Sequence, residues 1–165
     1  MIPISAQQAG RATVYTDAQG NRIKMEGNRP WRNNNPGNLR FTTDAAAREA
    51  GAIGRDKDGF AIFPDYETGR QALENWWQKR AEQGKTIKEA LEKYAPKNEN
   101  DLESYLTGVE KAIGKSRDTK ISDLTPEEMK KLSDFIQKHE GYDSGAGSGK
   151  TTTLPPTGIT PDTMR

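Results

Sequence analysis

The sequence lacks several residue types, and their absence limits which side chains could be catalytic. It has no cysteine and a single histidine, His139. Thiol nucleophiles and cysteine-ligated zinc are therefore excluded, and a catalytic zinc site, which usually needs several His or Cys ligands, is not expected. No Gly-x-Ser-x-Gly segment accompanies His139, and a lone histidine at a helix end is typical of a surface or capping residue. We expect neither a metal nor a cofactor.

Carboxylates are the remaining catalytic groups, and the chain has 24 Asp and Glu residues. Chemistry that needs only carboxylates is glycoside hydrolysis, in which one acid protonates the leaving oxygen and a second group assists. Position favours Glu26, where a strand meets an Asn-rich loop, and Glu140, at the end of the last helix. Glu49, at another helix end, is a third candidate. The alternative is that all three are surface charges, with Glu26 paired to Arg29 or Arg32.

The Asn-rich loop is the most specific feature of the sequence. It reads Asn33-Asn34-Asn35-Pro36-Gly37-Asn38. Amides donate and accept hydrogen bonds, so they can bind sugar hydroxyl and N-acetyl groups, although they can also hold a loop with no ligand. We interpret the run as a functional loop, with aromatic faces for sugar rings nearby. The predicted ligand-binding residues are Trp31, Asn33, Asn34, Asn35, Asn38 and Tyr94.

Two β-hairpins are predicted to position this loop. The first covers residues 13–25 and turns at Gly20, which can adopt the positive φ that such a turn needs. The second covers residues 52–63 and turns at residues 56–59. The intervening residues 27–38 are rich in Pro, Gly and Asn, which indicates a loop.

Helices are predicted for most of the remaining chain. Thr125-Pro126-Glu127-Glu128 is the strongest start signal, with Thr at the N-cap, Pro at the first helical position and Glu two residues later. Gly141 suits the left-handed residue that follows a helix. The other predicted helix starts are Asp44, Tyr66 after a capping Asp65, Thr86, and Asn100 or Asp101. The predicted fold class is α+β, mostly helical, with two short β-hairpins in the N-terminal half.

We expect one domain flanked by flexible ends. Residues 1–10 are predicted to be a flexible arm, residues 11–142 the domain, and residues 143–165 a flexible Gly/Ser/Thr/Pro tail. Residues 145–151 look like a phosphate-binding loop. However, the motif needs Gly where Ser144 stands, and no apolar strand precedes it. We interpret that segment as a linker.

The charges nearly cancel, with 25 Lys and Arg against 24 Asp and Glu. This balance lacks the electrostatic footprint of a nucleic-acid-binding protein, so no nucleic acid partner is expected. No apolar run is long enough to span a membrane. Residues 1–4 lack the basic start and apolar core of a secretory signal peptide. Action outside the cytoplasm would therefore need another delivery route.

Residues 31–40 resemble a module of phage virion proteins and of bacterial toxins delivered by contact-dependent secretion. The resemblance covers residues 23–142 and continues through the segments 51–54, 60–65, 68–70, 94–96, 99–101 and 139–140.

The module is distantly similar to glucosaminidases and lytic transglycosylases of the lysozyme-like group. These enzymes carry a Glu, then an Asn-Asn-x-x-Gly segment, then an aromatic-rich strand that leads into a helix. On that pattern Glu26 takes the place of the catalytic acid, ahead of Asn34 and Gly37. This chain departs from the pattern because Glu26 is close to the Asn run and follows a strand, which keeps Glu140 as the alternative acid.

The resemblance implies a lysozyme-like catalytic domain that cleaves the glycan strand of peptidoglycan in a muramidase-like reaction. A phage lytic factor or a secreted antibacterial toxin would act in the periplasm or cell envelope of a target bacterium, delivered by a virion or a secretion system. Its expected partners are peptidoglycan and an immunity protein, inhibitor, or secretion or virion carrier. Two alternatives stay open: a non-catalytic cell-wall-binding or virion structural module, and a peptide-bond hydrolase using His139.

Overall fold

The computed structural model of the chain describes residues 1–95, 98–142 and 149–157. Within them the fold is α+β, as predicted. The chain divides into two compact units: one comprises Met1–Arg70 with the described part of Gly141–Arg165, and the other is Gln71–Glu140. The predicted single domain over residues 11–142 therefore corresponds to parts of both units.

A four-stranded antiparallel sheet forms one side of the first unit. Its strands are β1 (Pro3–Ala9), β2 (Ala12–Asp17), β3 (Arg22–Gly27) and β6 (Gly149–Leu154), in the order β1-β2-β3-β6. The β2–β3 pair confirms the first predicted hairpin, and Gly20 in its turn has a φ of +84°. Of the two central strands, β2 is buried along almost its whole length, whereas β3 is partly buried throughout.

The prediction that both ends of the chain are flexible is wrong for the terminal residues that the structure describes. Residues 3–9 of the arm form strand β1, and residues 149–154 of the tail form strand β6. Both are edge strands rich in Ser, Thr, Gln and Lys, so they lack the apolar alternation that marks a strand in sequence. Gly149, Lys150 and Thr151 of the phosphate-loop-like segment lie in β6, and residues 145–148 lie outside the described residues.

Short elements complete the first unit. Helix α1 (Arg29–Arg32) interrupts the predicted loop, since Asn28 caps it by accepting a hydrogen bond from the Trp31 N–H at 3.1 Å. Helix α2 (Asp44–Glu49) follows, as predicted. Strands β4 (Gly54–Arg55) and β5 (Ala61–Ile62) confirm the second hairpin. The buried apolar residues of this unit are Ala12, Val14, Tyr15, Leu39, Ala47, Ala52, Ala61, Ile62 and Phe63.

Helices make up the second unit. Helix α3 (Tyr66–Glu82) begins in the first unit and continues into the second, followed by α4 (Ile87–Tyr94), α5 (Glu99–Ile113), a short 3-10 helix (Ile121–Asp123) and α6 (Pro126–His139). Their apolar faces enclose a core centred on Leu73, Trp77, Ile87, Leu91, Leu106, Val109, Leu132 and Ile136.

The helix starts agree with the predictions, with one shift. Thr125 and Thr86 each form a capping box with the Glu three residues later. Helix α5 is capped by Asn98, whereas the predicted start was Asn100 or Asp101. Gly141 has a φ of +96° after α6, which confirms its positive-φ role. None of the helices in the described residues is both long enough and apolar enough to cross a membrane.

Candidate functional site

An open groove of about 540 Å³ lies in the first unit. It is formed where the β1–β2 turn, the end of β3, helix α1 and the β4–β5 turn meet. Its lining is polar and charged, and it contains Glu26. The lining residues are Gln8, Gly10, Arg11, Glu26, Gly27, Arg29, Arg32, Lys57 and Asp58.

Glu26 is the sequence-predicted acid that lines this groove. It stands one residue before the end of β3, opposite Ala12 of β2 and Lys150 of β6. Its side chain is 46% exposed, and a carboxylate oxygen lies 3.5 Å from the Lys24 ammonium. An exposed ion pair at this distance holds the carboxylate weakly, so Glu26 is accessible from the groove.

The alternative that Arg29 or Arg32 pairs with Glu26 is not what the structure shows. Arg29 Nη2 lies 2.9 Å from Asp58 Oδ2, and its guanidinium lies over the Phe60 ring, 4.2 Å from the ring centre. Arg32 Nη1 donates a hydrogen bond to the Gly27 carbonyl at 2.8 Å. Both arginines thus border the groove while they stabilise other parts of it.

Asp56 fixes the turn that carries Asp58. Its Oδ1 accepts hydrogen bonds from the N–H groups of Asp58 and Phe60, each at 3.0 Å. Its Oδ2 accepts from Asn33 Nδ2 at 3.3 Å and lies 3.3 Å from Arg29 Nε. This buried carboxylate therefore joins the Asn-rich loop, helix α1 and the β4–β5 turn in one hydrogen-bonded network.

Asn33 and Asn35 have structural roles, so their prediction as ligand-binding residues is wrong. Both are completely buried. Asn33 Oδ1 accepts from the Thr13 hydroxyl at 2.6 Å. Asn35 Nδ2 donates to the carbonyls of Leu39 and Ala61 at 3.0 and 2.9 Å, and its Oδ1 accepts from the Leu39 N–H at 2.9 Å. A buried amide with this many internal partners builds the loop.

Asn34 and Asn38 are explained by backbone conformation. Each has a φ of +51°, in the left-handed region that Asn tolerates better than most residues. Both are partly buried, and Asn34 Nδ2 also donates to the Phe63 carbonyl at 3.2 Å. Neither lines the groove. The Asn run therefore encodes the loop that supports the groove, through two buried amides and two left-handed residues.

Trp31 also packs internally. Its indole lies against Gly149 of β6, so closely that a Cβ added to Gly149 would collide with the ring. Tyr15, beneath α1, donates its hydroxyl hydrogen to the Arg32 carbonyl, and burial raises the pKa of this phenol well above its usual value. Trp31 is partly exposed but is not a lining residue of the groove.

Tyr94 and Glu140 belong to the second unit. The Tyr94 ring packs against Trp76 and Trp77, with ring centres 4.8 and 5.7 Å away. Burial, and then the nearby Glu140 charge, raise the pKa of Tyr94 well above its usual value. Tyr94 is therefore part of the edge of the helical core, which its prediction as a sugar-stacking residue did not anticipate.

Glu140 follows the last residue of α6 and is partly buried. The Tyr105 hydroxyl donates to Glu140 Oε2 at 3.0 Å. Burial is the main cause that raises the pKa of Tyr105, which keeps this phenol protonated as a donor. The His139 ring is stacked on the Tyr105 ring, with centres 3.8 Å apart, and is exposed.

The groove has a surplus of positive charge. Four of its lining residues are cationic and two are carboxylates. The pKa of Arg32 is lowered, first by burial and then by the neighbouring charge of Arg29, with a smaller contribution in the same direction from Arg11. The groove therefore favours an anionic group near Arg32.

The sequence did not single out Gln8, Arg11, Lys57 or Asp58. Residues 8 and 11 lie in or beside the segment predicted to be a flexible arm, and residues 57–58 were recognised only as a turn. The charged residues of that turn could have been recognised as candidates, since side chains at the tip of a hairpin are exposed and can contact a ligand. These residues come together only because strand β1 forms, and the polar sequence of β1 did not predict a strand.

No group of three or more His, Asp or Glu side chains that could hold a metal ion occurs among residues 1–95, 98–142 and 149–157. Comparison of the chain with protein-family models, with curated proteins and with solved structures gave no match. The function is therefore inferred from the geometry of this chain.

Proposed function

We propose that this chain is a peptidoglycan hydrolase that cleaves the glycan strand, with Glu26 as the general acid. The observation that supports this most directly is that Glu26 is half exposed in an open groove of about 540 Å³. That volume falls in the range of roughly 300–1,000 Å³ typical of ligand sites. The groove can therefore hold sugar residues next to the acid.

Asp58 supplies the second carboxylate that the reaction needs. It lines the same groove, and Arg29 orients it through the 2.9 Å ion pair. In the proposed reaction, protonated Glu26 gives its proton to the glycosidic oxygen as the bond to the leaving sugar breaks. Asp58 takes a proton from the attacking water, or stabilises the oxocarbenium ion before water adds. The water oxygen ends on the anomeric carbon.

Glu26 is preferred over Glu140 because of their surroundings. The Glu140 carboxylate is partly buried and is engaged by the Tyr105 hydroxyl. Glu26 has one exposed ion pair and borders a groove that contains a second carboxylate. The two acids can be separated experimentally because each can be replaced by its isosteric amide.

The biological setting proposed here follows from the sequence resemblance. We propose that the chain is a lysozyme-like member of the phage-virion and secreted-toxin module, acting in the envelope of a target bacterium after delivery by a virion or secretion system. The α+β fold and the order of Glu26, Asn34 and Gly37 along the chain are compatible with this. A carrier or immunity protein is a proposed partner.

The test is release of dye from covalently labelled, purified peptidoglycan. Glu26→Gln removes the proton donor without changing the side chain's shape, so we expect the rate to fall by at least about 100-fold. Asp58→Asn should also reduce the rate strongly. Glu140→Gln should retain most activity, and Glu92→Gln, an exposed change on α4, is the matched control. Wild-type rates from Glu26→Gln would overturn the assignment of the acid.

A second candidate is a module that binds cell wall without cutting it. The surplus of cations over carboxylates in the groove favours this candidate, since binding an acidic polymer requires no acid catalyst. A wild-type chain that sediments with peptidoglycan but releases no dye would support binding alone and would contradict the enzyme. Dye release that depends on Glu26 would exclude the binding-only role.

A further inference from the structure

Arg11 and Lys57 are cations without countercharges in the described structure. Both are exposed and line the groove. Neither side chain makes an ion pair with any side chain that the structure describes, in residues 1–95, 98, 101–142 and 149–157. Arg29, by contrast, is already neutralised by Asp56 and Asp58. The positive charge available to a ligand therefore comes from Arg11 and Lys57, with Arg32 next to them.

Gln8 holds the two segments that carry these cations in place. Its side-chain Nε2 donates to the Gly10 carbonyl at 2.8 Å, at the β1–β2 turn beside Arg11. Its Oε1 accepts from the backbone N–H of Lys57 at 2.9 Å, in the β4–β5 turn. One amide thus fixes the backbones of two turns that are 49 residues apart in sequence. Because the two turns are already held in place, less conformational entropy is lost when a ligand binds.

Arg32 completes the arrangement. One of its guanidinium nitrogens is used by the Gly27 carbonyl at 2.8 Å, and the remaining N–H groups can serve a ligand. Gly27 follows Glu26 directly, so this hydrogen bond also fixes the end of β3. Arg32 is therefore linked by a hydrogen bond to the residue that follows the proposed acid.

We propose that Arg11, Arg32 and Lys57 form a subsite for a carboxylate group on the glycan's substituents, which positions the strand across Glu26. This proposal rests on the proposed function and specifies its substrate class as a carboxylate-bearing glycan. Guanidinium and ammonium groups bind carboxylates through charge-assisted hydrogen bonds. A singly charged group is favoured over a dianionic phosphate because Glu26 and Asp58 lie in the same groove and repel anions.

The test pairs a charge change in the protein with a charge change in the polymer. Binding is measured by co-sedimentation with teichoic-acid-free peptidoglycan, and with the same material after carbodiimide coupling to ammonia, which converts carboxylates to neutral amides. The protein variant is Arg11→Gln with Lys57→Gln. Its matched control is Lys79→Gln with Lys93→Gln, which removes the same charge from exposed positions of the second unit.

We expect the wild-type chain to bind native peptidoglycan about tenfold more tightly than amidated peptidoglycan, because amidation removes the negative charge that the three cations bind. The Arg11/Lys57 variant should lose most of this difference, because only Arg32 of the subsite remains, while the control variant keeps the difference. Inorganic phosphate at matched ionic strength should compete no better than acetate.

Two outcomes would overturn the subsite. One is an equal loss in the two variants, which would mean general attraction to an acidic polymer. The other is displacement by phosphate without any effect of amidation, which would mean a phosphate site. Sedimented protein reports binding and released dye reports cleavage, so the two results are separate: a chain that binds as expected but releases no dye would refute only the hydrolase.

Discussion

At the scale of single residues, the Asn run shows that an unusual sequence pattern can lie next to a groove although its side chains do not line that groove. Asn33 and Asn35 are buried, and their partners Thr13, Asp56 and Ala61 lie 20 to 26 residues away in sequence. Sequence alone indicates a loop, because Asn, Pro and Gly favour turns. It does not indicate burial, because that depends on strands β2 and β5 packing on either side of the loop.

The buried network gives a stability prediction for Asn35. Asn35→Ala would leave the Leu39 N–H and the Ala61 carbonyl without their side-chain partner, so we expect a loss of about 2–4 kcal/mol in the free energy of unfolding. Urea denaturation measures it. Asn75→Ala, at an exposed position, should cost less than about 0.5 kcal/mol. Similar losses in the two variants would contradict a structural role specific to the loop.

Glu26 could be chosen from the sequence because it stands at the junction of a hairpin and an unusual loop. The rest of the groove could not be chosen in the same way. Arg11 and Asp58 are 47 positions apart in the sequence, and strand β1 brings them to one groove, since it pairs with β2 and its Gln8 is hydrogen-bonded to Lys57. When residues are brought together by the pairing of polar strands, no local sequence pattern predicts that they will be neighbours.

At the scale of elements, the predictions succeeded where local chemistry determines the structure. The capping boxes at Thr86 and Thr125 fix the starts of α4 and α6. The positive φ of Gly20 permits the first hairpin turn. Strands β1 and β6 were missed since each gains its stability from pairing with a neighbour, and their side chains are mostly exposed. Helix α1 was missed because it is a single turn.

Gly69 provides a prediction at this scale. In an isolated helix, replacing Gly by Ala stabilises by about 1 kcal/mol. Here Gly69 lies in the first turn of α3 against the Asn-rich loop, and an added Cβ would collide with the Asn34 carbonyl oxygen and lie 2.9 Å from Pro36 Cδ. We therefore expect Gly69→Ala to destabilise the protein by about 1–3 kcal/mol.

Thermal or urea unfolding followed by circular dichroism measures the effect. Gln71→Ala, at an exposed position of the same helix, is the control and should leave stability almost unchanged. Stabilisation by Gly69→Ala would show that the loop yields easily, which contradicts a rigid support for the groove.

At the scale of the whole molecule, several carboxylates have lowered pKa values because of specific partners. Hydrogen bonds from Arg117 lower the pKa of Glu103 and Glu110 below the ordinary value of 4.5. Hydrogen bonds from Asn21 and, at a capping position, from the Thr86 backbone have the same effect on Asp17 and Glu89. In the unfolded chain these groups bind protons more readily than in the folded chain.

The sign of the pH dependence follows from these shifts. Stability from lowered-pKa acids is fully present above the unfolded values near 4, and is lost as the pH falls through the folded values. Denaturation midpoints should therefore be constant from pH 7 to about pH 5 and fall below pH 4. Arg117→Gln should flatten that fall, because Glu103 and Glu110 then lose their shared partner. An unchanged slope would contradict this assignment.

The chain is nearly neutral as a whole, but the lining of the groove has more positive than negative charges. The chain as a whole carries a formal net charge of +1, whereas the lining of one groove contains four cations and two carboxylates. This composition gives no reason to expect nucleic acid binding. It does not reveal a small region with excess positive charge, because charge on the rest of the surface cancels in the sum.

The most direct test of the central claim is mass spectrometry of the soluble fragments released from purified peptidoglycan. We predict that the wild-type chain releases fragments with new glycan ends and intact peptide stems, and that Glu26→Gln releases none while remaining folded. Fragments with newly freed amines and uncut glycan strands, or glycan fragments in equal yield from Glu26→Gln, would contradict the assignment of Glu26 as the acid that cleaves the glycan strand.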